Sequence, residues 1–178
     1  MSIQIGAKPD SGFDDPIGML KDCHRRIEHF LNILCKVVRQ AQGHALNAEE
    51  RRAVEAALHY FRESGPRHNR DDEESLFPRL HCGQVPAVVE DVHRLEAEHR
   101  EASALHEEAE RLYSKWIAES GLIGDEETRL LSIAEKLQSI YDGHIRLEED
   151  VVFPCAAHAL DRNDLAAMGA EFKARRNL

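Results

Sequence analysis

Two stretches of the chain are near copies of one another. His68-Asn69-Arg70-Asp71-Asp72-Glu73-Glu74-Ser75-Leu76-Phe77-Pro78 and His144-Ile145-Arg146-Leu147-Glu148-Glu149-Asp150-Val151-Val152-Phe153-Pro154 both read H-x-x-x-[DE]-E-[DE]-x-[LV]-F-P. On a helix, residues four apart share one face, so each copy aims an imidazole and a carboxylate the same way, one turn apart. A mixed set of imidazole nitrogens and carboxylate oxygens suits a transition-metal ion better than calcium or magnesium, which take oxygen shells.

The repeat extends upstream, where Leu20 to Arg25 and Leu95 to Arg100 share L-x-x-x-H-R and contribute His24 and His99. His24 lies 44 residues before His68, and His99 lies 45 before His144. Residues at one height on adjacent antiparallel helices are equidistant from the turn that joins them. The midpoints of successive histidines fall at residue 46, at Gly83-Gln84 and at Gly121-Leu122, each in a stretch of turn-forming residues. The spacing predicts four histidines, one per helix, at a single level, with Asp72 and Glu148 one turn along the helices that carry His68 and His144. Glu73, next to Asp72, is the alternative carboxylate. The remaining acids of these runs read as solvated groups or as acceptors for imidazole N–H donors.

Other histidines read differently. His106 is two turns beyond His99, about 10 Å along the axis, too far to share a compact two-metal site. His29, His44, His59, His81, His93 and His158 read as surface or packing residues. Cys23 adjoins His24 but points about 100° away around the helix, which makes it a packing residue.

The elements that must position these groups are helices. Asp15-Pro16 is an N-cap followed by proline, and Leu20, Ile27, Leu31, Leu34 and Val38 recur at helical spacing until Gly43. Asn47-Ala48-Glu49-Glu50 opens a second helix running to about His81, with a kink or short break expected at Gly65-Pro66. A third helix follows Pro86 and closes at Gly121 to Gly124; a fourth starts at Asp125 and leads into the second acidic run. Beyond Asp161 a short tail helix is expected. The predicted architecture is an all-α, up-down-up-down four-helix bundle over 16–158, with a flexible leader over 1–15 and a tail helix over 159–178.

Composition agrees and narrows the partners. The 178 residues are 42% hydrophobic but only 6% aromatic, enough for one packed domain without β-rich runs. A formal charge of −10 would repel nucleic acid and anionic membrane, so neither is expected as a partner. The leading residues lack a basic stretch followed by an apolar one, and no run of 18 apolar residues occurs. Cys23, Cys35, Cys82 and Cys155 form no C-x-x-C pair and read as reduced thiols. The expectation is a cytoplasmic protein.

The pattern H…H-x-x-x-E…H…H-x-x-x-E, with F-P after each carboxylate, resembles the hemerythrin-like (HHE cation-binding) family over roughly residues 16 to 155. The resemblance implies a non-haem diiron site held by His24, His68, Asp72, His99, His144 and Glu148, with an oxo or hydroxo bridge; zinc and manganese are the other candidate metals. Asp72 departs from the family's usual Glu by one methylene. Of about twelve octahedral positions on two irons, four histidines, two bridging carboxylates and the bridge leave about two open. Open positions invite dioxygen, nitric oxide or peroxide.

Oxygen carriers of this family have a further H-x-x-x-H pair on the third helix, whereas Leu95 and Ser103 flank His99 here. The spacing is closer to bacterial hemerythrin-like proteins of nitrosative and oxidative stress. Their iron–sulfur repair members carry an N-terminal cysteine segment, and residues 1–15 contain no cysteine. Three functions follow: a diiron protein that binds, senses or reduces a small ligand, an iron-donating stress protein acting on a partner, or a structural bundle with zinc or no metal.

Overall fold

A computed structural model describes residues 10–82, 86–119 and 121–178, with the side chains of 81–87 left aside. Helix α1 spans Pro16–Ala41, α2 Ala48–Glu63, α3 Gly65–Asp71, α4 Phe77–Cys82, α5 Pro86–Glu119, α6 Asp125–Leu147, α7 Phe153–Ala159 and α8 Arg162–Arg175. Two π-helical turns, Asp72–Leu76 and Glu148–Val152, join α3 to α4 and α6 to α7. The described residues contain no strand, as the sequence predicts.

Local chemistry sets the boundaries. Asp15 accepts the Gly18 N–H at the start of α1, and Pro16, whose missing donor costs nothing there, takes the first helical position. Asn47 and Glu50 form a reciprocal capping box on α2, and Asp161 and Asp164 form another on α8. The break expected at Gly65-Pro66 falls at Ser64, because Pro66 has no N–H to continue the ladder. The turn expected at Gly83-Gln84, His81 and Cys82 as side chains, and residues 1–9 of the expected leader lie outside the described residues.

Helix α1 packs on α2 and α6, and α5 packs on α6 and α2. The α1–α2 and α5–α6 turns meet directly, with the Leu122 N–H donating to the Gly43 carbonyl at 2.9 Å. Gly43 has φ of 72°, and a Cβ there would lie 2.8 Å from the Leu122 carbonyl, so both conformation and contact require glycine.

Two apolar clusters lie on either side of the predicted histidine level. Ile27, Leu34, Tyr113, Trp116 and Leu137 belong to one; Leu20, Phe77, Leu95, Phe153 and Phe172 belong to the other. Each fully buried large side chain contributes roughly 1.5–3 kcal/mol. Tail helix α8 closes the second cluster with Met168 and Phe172, and Gly169 lets the Phe13 backbone approach so closely that a Cβ would meet its carbonyl oxygen at 1.9 Å.

Candidate metal centre

The four histidines converge between those clusters. Ring centroids of His24 and His68 are 5.1 Å apart, those of His68 and His99 6.3 Å, and those of His99 and His144 4.7 Å. All four are at most 3% exposed, and Asp72 and Glu148 are fully buried beside them. The single level inferred from turn midpoints is therefore what the helices produce.

Glu148 is the common member. Its oxygens lie with nitrogens of His24 and His68 in one group, and with nitrogens of His99 and His144 in another, each group within 4.8 Å. Glu148 Oε2 is 2.9 Å from His24 Nε2 and 3.5 Å from His144 Nε2. Asp72 lies outside both groups, with Oδ2 3.6 Å from His68 Nδ1. One methylene less than Glu148 gives it less reach.

The outward nitrogens of three histidines are held by carboxylates. His24 Nδ1 meets Glu149 at 2.8 Å, His99 Nδ1 meets Glu73 at 2.8 Å, and His144 Nδ1 meets Glu98 at 3.1 Å. Glu98 is itself anchored by Arg94 at 2.9 Å. Such partners fix a ring's orientation and tautomer, leaving Nε2 free to face an ion. Glu73 is thus occupied at the rim, and the buried carboxylate of its pair is Asp72. The reading of the acidic runs anticipates Glu73 and Glu149, whereas Glu98 was missed; its signal was its place immediately before His99.

The inward nitrogens of His99 and His144 lie 3.1 Å from each other, and the other inward atoms have no partner. His24 Nε2, both ring nitrogens of His68, and both oxygens of Asp72 and of Glu148 are buried without a hydrogen bond. The 2.9 Å approach of His24 to Glu148 is off hydrogen-bonding alignment, so proximity and satisfaction differ here. Buried polar groups are ordinarily satisfied, and a convergent set left open is what a cation would satisfy.

Charge follows the same geometry. Burial lowers His24, but the close Glu148 carboxylate and the hydrogen-bonded Glu149 outweigh it and raise the imidazole to about 9. Burial, then the neighbouring His24, pushes His68 well down. Burial, then the Glu148 charge, pushes Asp72 well up, whereas burial of Glu148 is outweighed by the histidines, which hold it low. Without metal, protons balance the buried charge; a divalent ion would displace them.

The backbone explains how each carboxylate turns inward. Phe77 and Phe153 donate to the carbonyls of Asp72 and Glu148, five residues back, so the helix widens by one residue at each copy of the repeat. In an α-helix, Pro78 and Pro154 would clash with the carbonyls of Glu74 and Asp150; the wider turn accommodates them without ending the helix. The phenylalanines also contact the site: Phe153 stacks on His24 at 5.5 Å and Phe77 on His99 at 6.2 Å.

Four further features depend on tertiary contacts. Asp71, fully buried next to Asp72, is clamped by Arg175 Nε at 2.8 Å and Arg176 at 2.7 Å. Glu171 of α8 receives Arg79 at 2.7 Å and the Ser75 hydroxyl. His106 packs on Phe61 at 4.3 Å and shares a 3.1 Å hydrogen bond with the Tyr141 hydroxyl, remaining separate from the site as expected. Cys23 is buried, as its packing role requires.

Comparison with known proteins agrees with the geometry. Residues 15–156 match the Hemerythrin HHE cation binding domain. The chain is also similar to an uncharacterized protein of Haemophilus influenzae (strain ATCC 51907 / DSM 11121 / KW20 / Rd), at 28% identity over 171 residues covering 93% of this chain and 92% of that protein.

Proposed function

We propose, from the premise that the chain belongs to the hemerythrin HHE cation-binding domain family, that it holds two non-haem iron ions and uses their open positions to bind, sense or reduce a small ligand such as dioxygen, nitric oxide or peroxide. The observation that carries this reading is the set of buried, unsatisfied inward atoms on His24, His68, Asp72 and Glu148. His24, His68, Asp72, His99, His144 and Glu148 would hold the ions. Bound iron would supply redox chemistry and Lewis acidity toward the ligand.

The chain's own residues would do the rest. Glu148, reaching both histidine groups, would help hold both ions; Asp72, shorter, would serve the His68 side. Glu73, Glu98 and Glu149 would keep three imidazoles aimed inward. Phe77 and Phe153 would shield the histidine level from water. We read the pairwise packing and the meeting turns as the up-down-up-down order, and place the protein in the cytoplasm, where Cys23, Cys35 and Cys155 would remain the free thiols they are in the structure. Among the described residues no helix is long and apolar enough to cross a membrane.

The test is metal content and the visible spectrum of protein from iron-replete cells, recorded under nitrogen and then air. About two irons per chain by the ligand count, with absorption that appears on aeration and vanishes in a His24→Ala, His144→Ala variant, is the expected result. One zinc, or no metal, would overturn it.

A further inference from the structure

The internal repeat makes the grooves beside the two halves comparable. Tyr141 stands three residues before His144, and Gly65 stands three before His68; His106 stands seven after His99, and Leu31 seven after His24. One half therefore has a phenol and an imidazole where the other has a hydrogen atom and an isobutyl group.

The consequence is visible as space. On the α1–α6 side, Tyr141 lines a groove of about 190 Å³, together with Asn32 and Gln138, which hydrogen-bond to each other at 2.9 Å. On the equivalent α2–α5 side, the groove at Gly65 is about 320 Å³, within the range of small-ligand sites. A Cβ at Gly65 would meet nothing within 4 Å, so no packing contact there demands glycine.

We infer that this groove is a binding site for a small neutral phenol, a molecule shaped like the tyrosine side chain that Gly65 lacks. Its walls are Leu34, Leu58, Phe61 and Pro66, with His106 and Tyr141 also lining it. Asn69 and Ser103, also on the groove, make no side-chain hydrogen bond among the described residues and can serve a hydroxyl. Burial holds His106 near a pKa of about 4, so it is uncharged near neutral pH. At the rim Arg62 is committed to Glu110 at 2.5 Å, and Glu107 adds a negative charge that disfavours anions. The occupant would sit beside Tyr141, whose ring is 6.4 Å from that of His144.

The experiment is a calorimetric and NMR titration of the full chain with p-cresol, in metal-free and metal-loaded protein, with benzoate as the charged counterpart. Saturable one-site binding that shifts His106 and Tyr141 resonances is expected in both forms, with benzoate at least tenfold weaker, about 1.4 kcal/mol. Gly65→Tyr should fill the groove from within and weaken p-cresol by more than tenfold, while Gly65→Ala should bind within about twofold of the parent. Ser103→Trp, filling from the opposite helix, should give the same loss. No saturable binding by the parent at millimolar p-cresol, unchanged binding in both filled variants, or equal binding of benzoate would overturn the inference. Absence of iron would leave it standing, so its failure and that of the diiron reading are separable.

Discussion

The two halves of the molecule repeat the same ligand pattern but surround it differently. In the second half, Glu148 reaches two histidine groups, His144 is backed by Glu98, and the groove that Tyr141 lines is the smaller, about 190 Å³. In the first half, Asp72 is shorter, Cys23 stands where Glu98 stands, His68 has neither ring nitrogen hydrogen-bonded, and Gly65 leaves its groove open. The first half is instead held from outside, by Arg175 and Arg176 of α8 on Asp71, whose counterpart Leu147 has no charge to hold. Near-symmetry in ligands thus coexists with asymmetry in support: one half is built to fix an ion, the other leaves access beside it.

The sharpest way to break this comparison is at the two carboxylates. Glu148→Ala should remove nearly all bound metal, whereas Asp72→Ala should keep about half, since only Glu148 belongs to both groups. Metal analysis of the purified variants decides it, and equal losses would mean the carboxylates are equivalent.

The next effect concerns the clamp. Removing both arginines in Arg175→Ala, Arg176→Ala leaves Asp71 buried and uncompensated, and should cost about 3–5 kcal/mol in urea unfolding of metal-free protein. Adding Asp71→Leu, which copies the second half, should recover most of it.

A third effect isolates His106. Its folded pKa is depressed by burial to about 4, against 6.5 for the free side chain. Its contribution to stability is therefore present above pH 6.5 and lost as pH falls through about 4, because the unfolded chain takes up a proton that the folded one refuses. The loss should be about 3 kcal/mol. His106→Leu, the residue the first half uses at Leu31, should abolish that component, read as the difference between unfolding at pH 7 and pH 4. The smallest change is Cys23→Glu, which offers His68 the support that Glu98 gives His144. It should slow metal loss to a chelator, by up to about tenfold on the usual effect of outer partners.

How much of this was legible before folding is clear from particular residues. The convergence of His24, His68, His99 and His144 at one level is legible because a repeat and turn midpoints are properties of spacing, and helix geometry converts spacing into height. Asp72 was preferred to Glu73 by the four-residue interval, and Glu73 indeed sits on His99 at the rim. The π turns were not legible: a proline four residues after an acid signals a broken ladder, but whether the helix ends, kinks or widens depends on what packs around it.

The linear order by itself determined the all-helical class, the capping sites and the level of the histidines, because these follow from periodicity and intervals along one chain. Tertiary structure alone decided which carboxylate orients which imidazole, that Arg175 and Arg176 reach Asp71 more than a hundred positions away, and that the groove at Gly65 is larger than its counterpart at Tyr141. Those depend on side chains from different helices meeting at one place, where distance, burial and volume set the outcome and no interval along the chain encodes it.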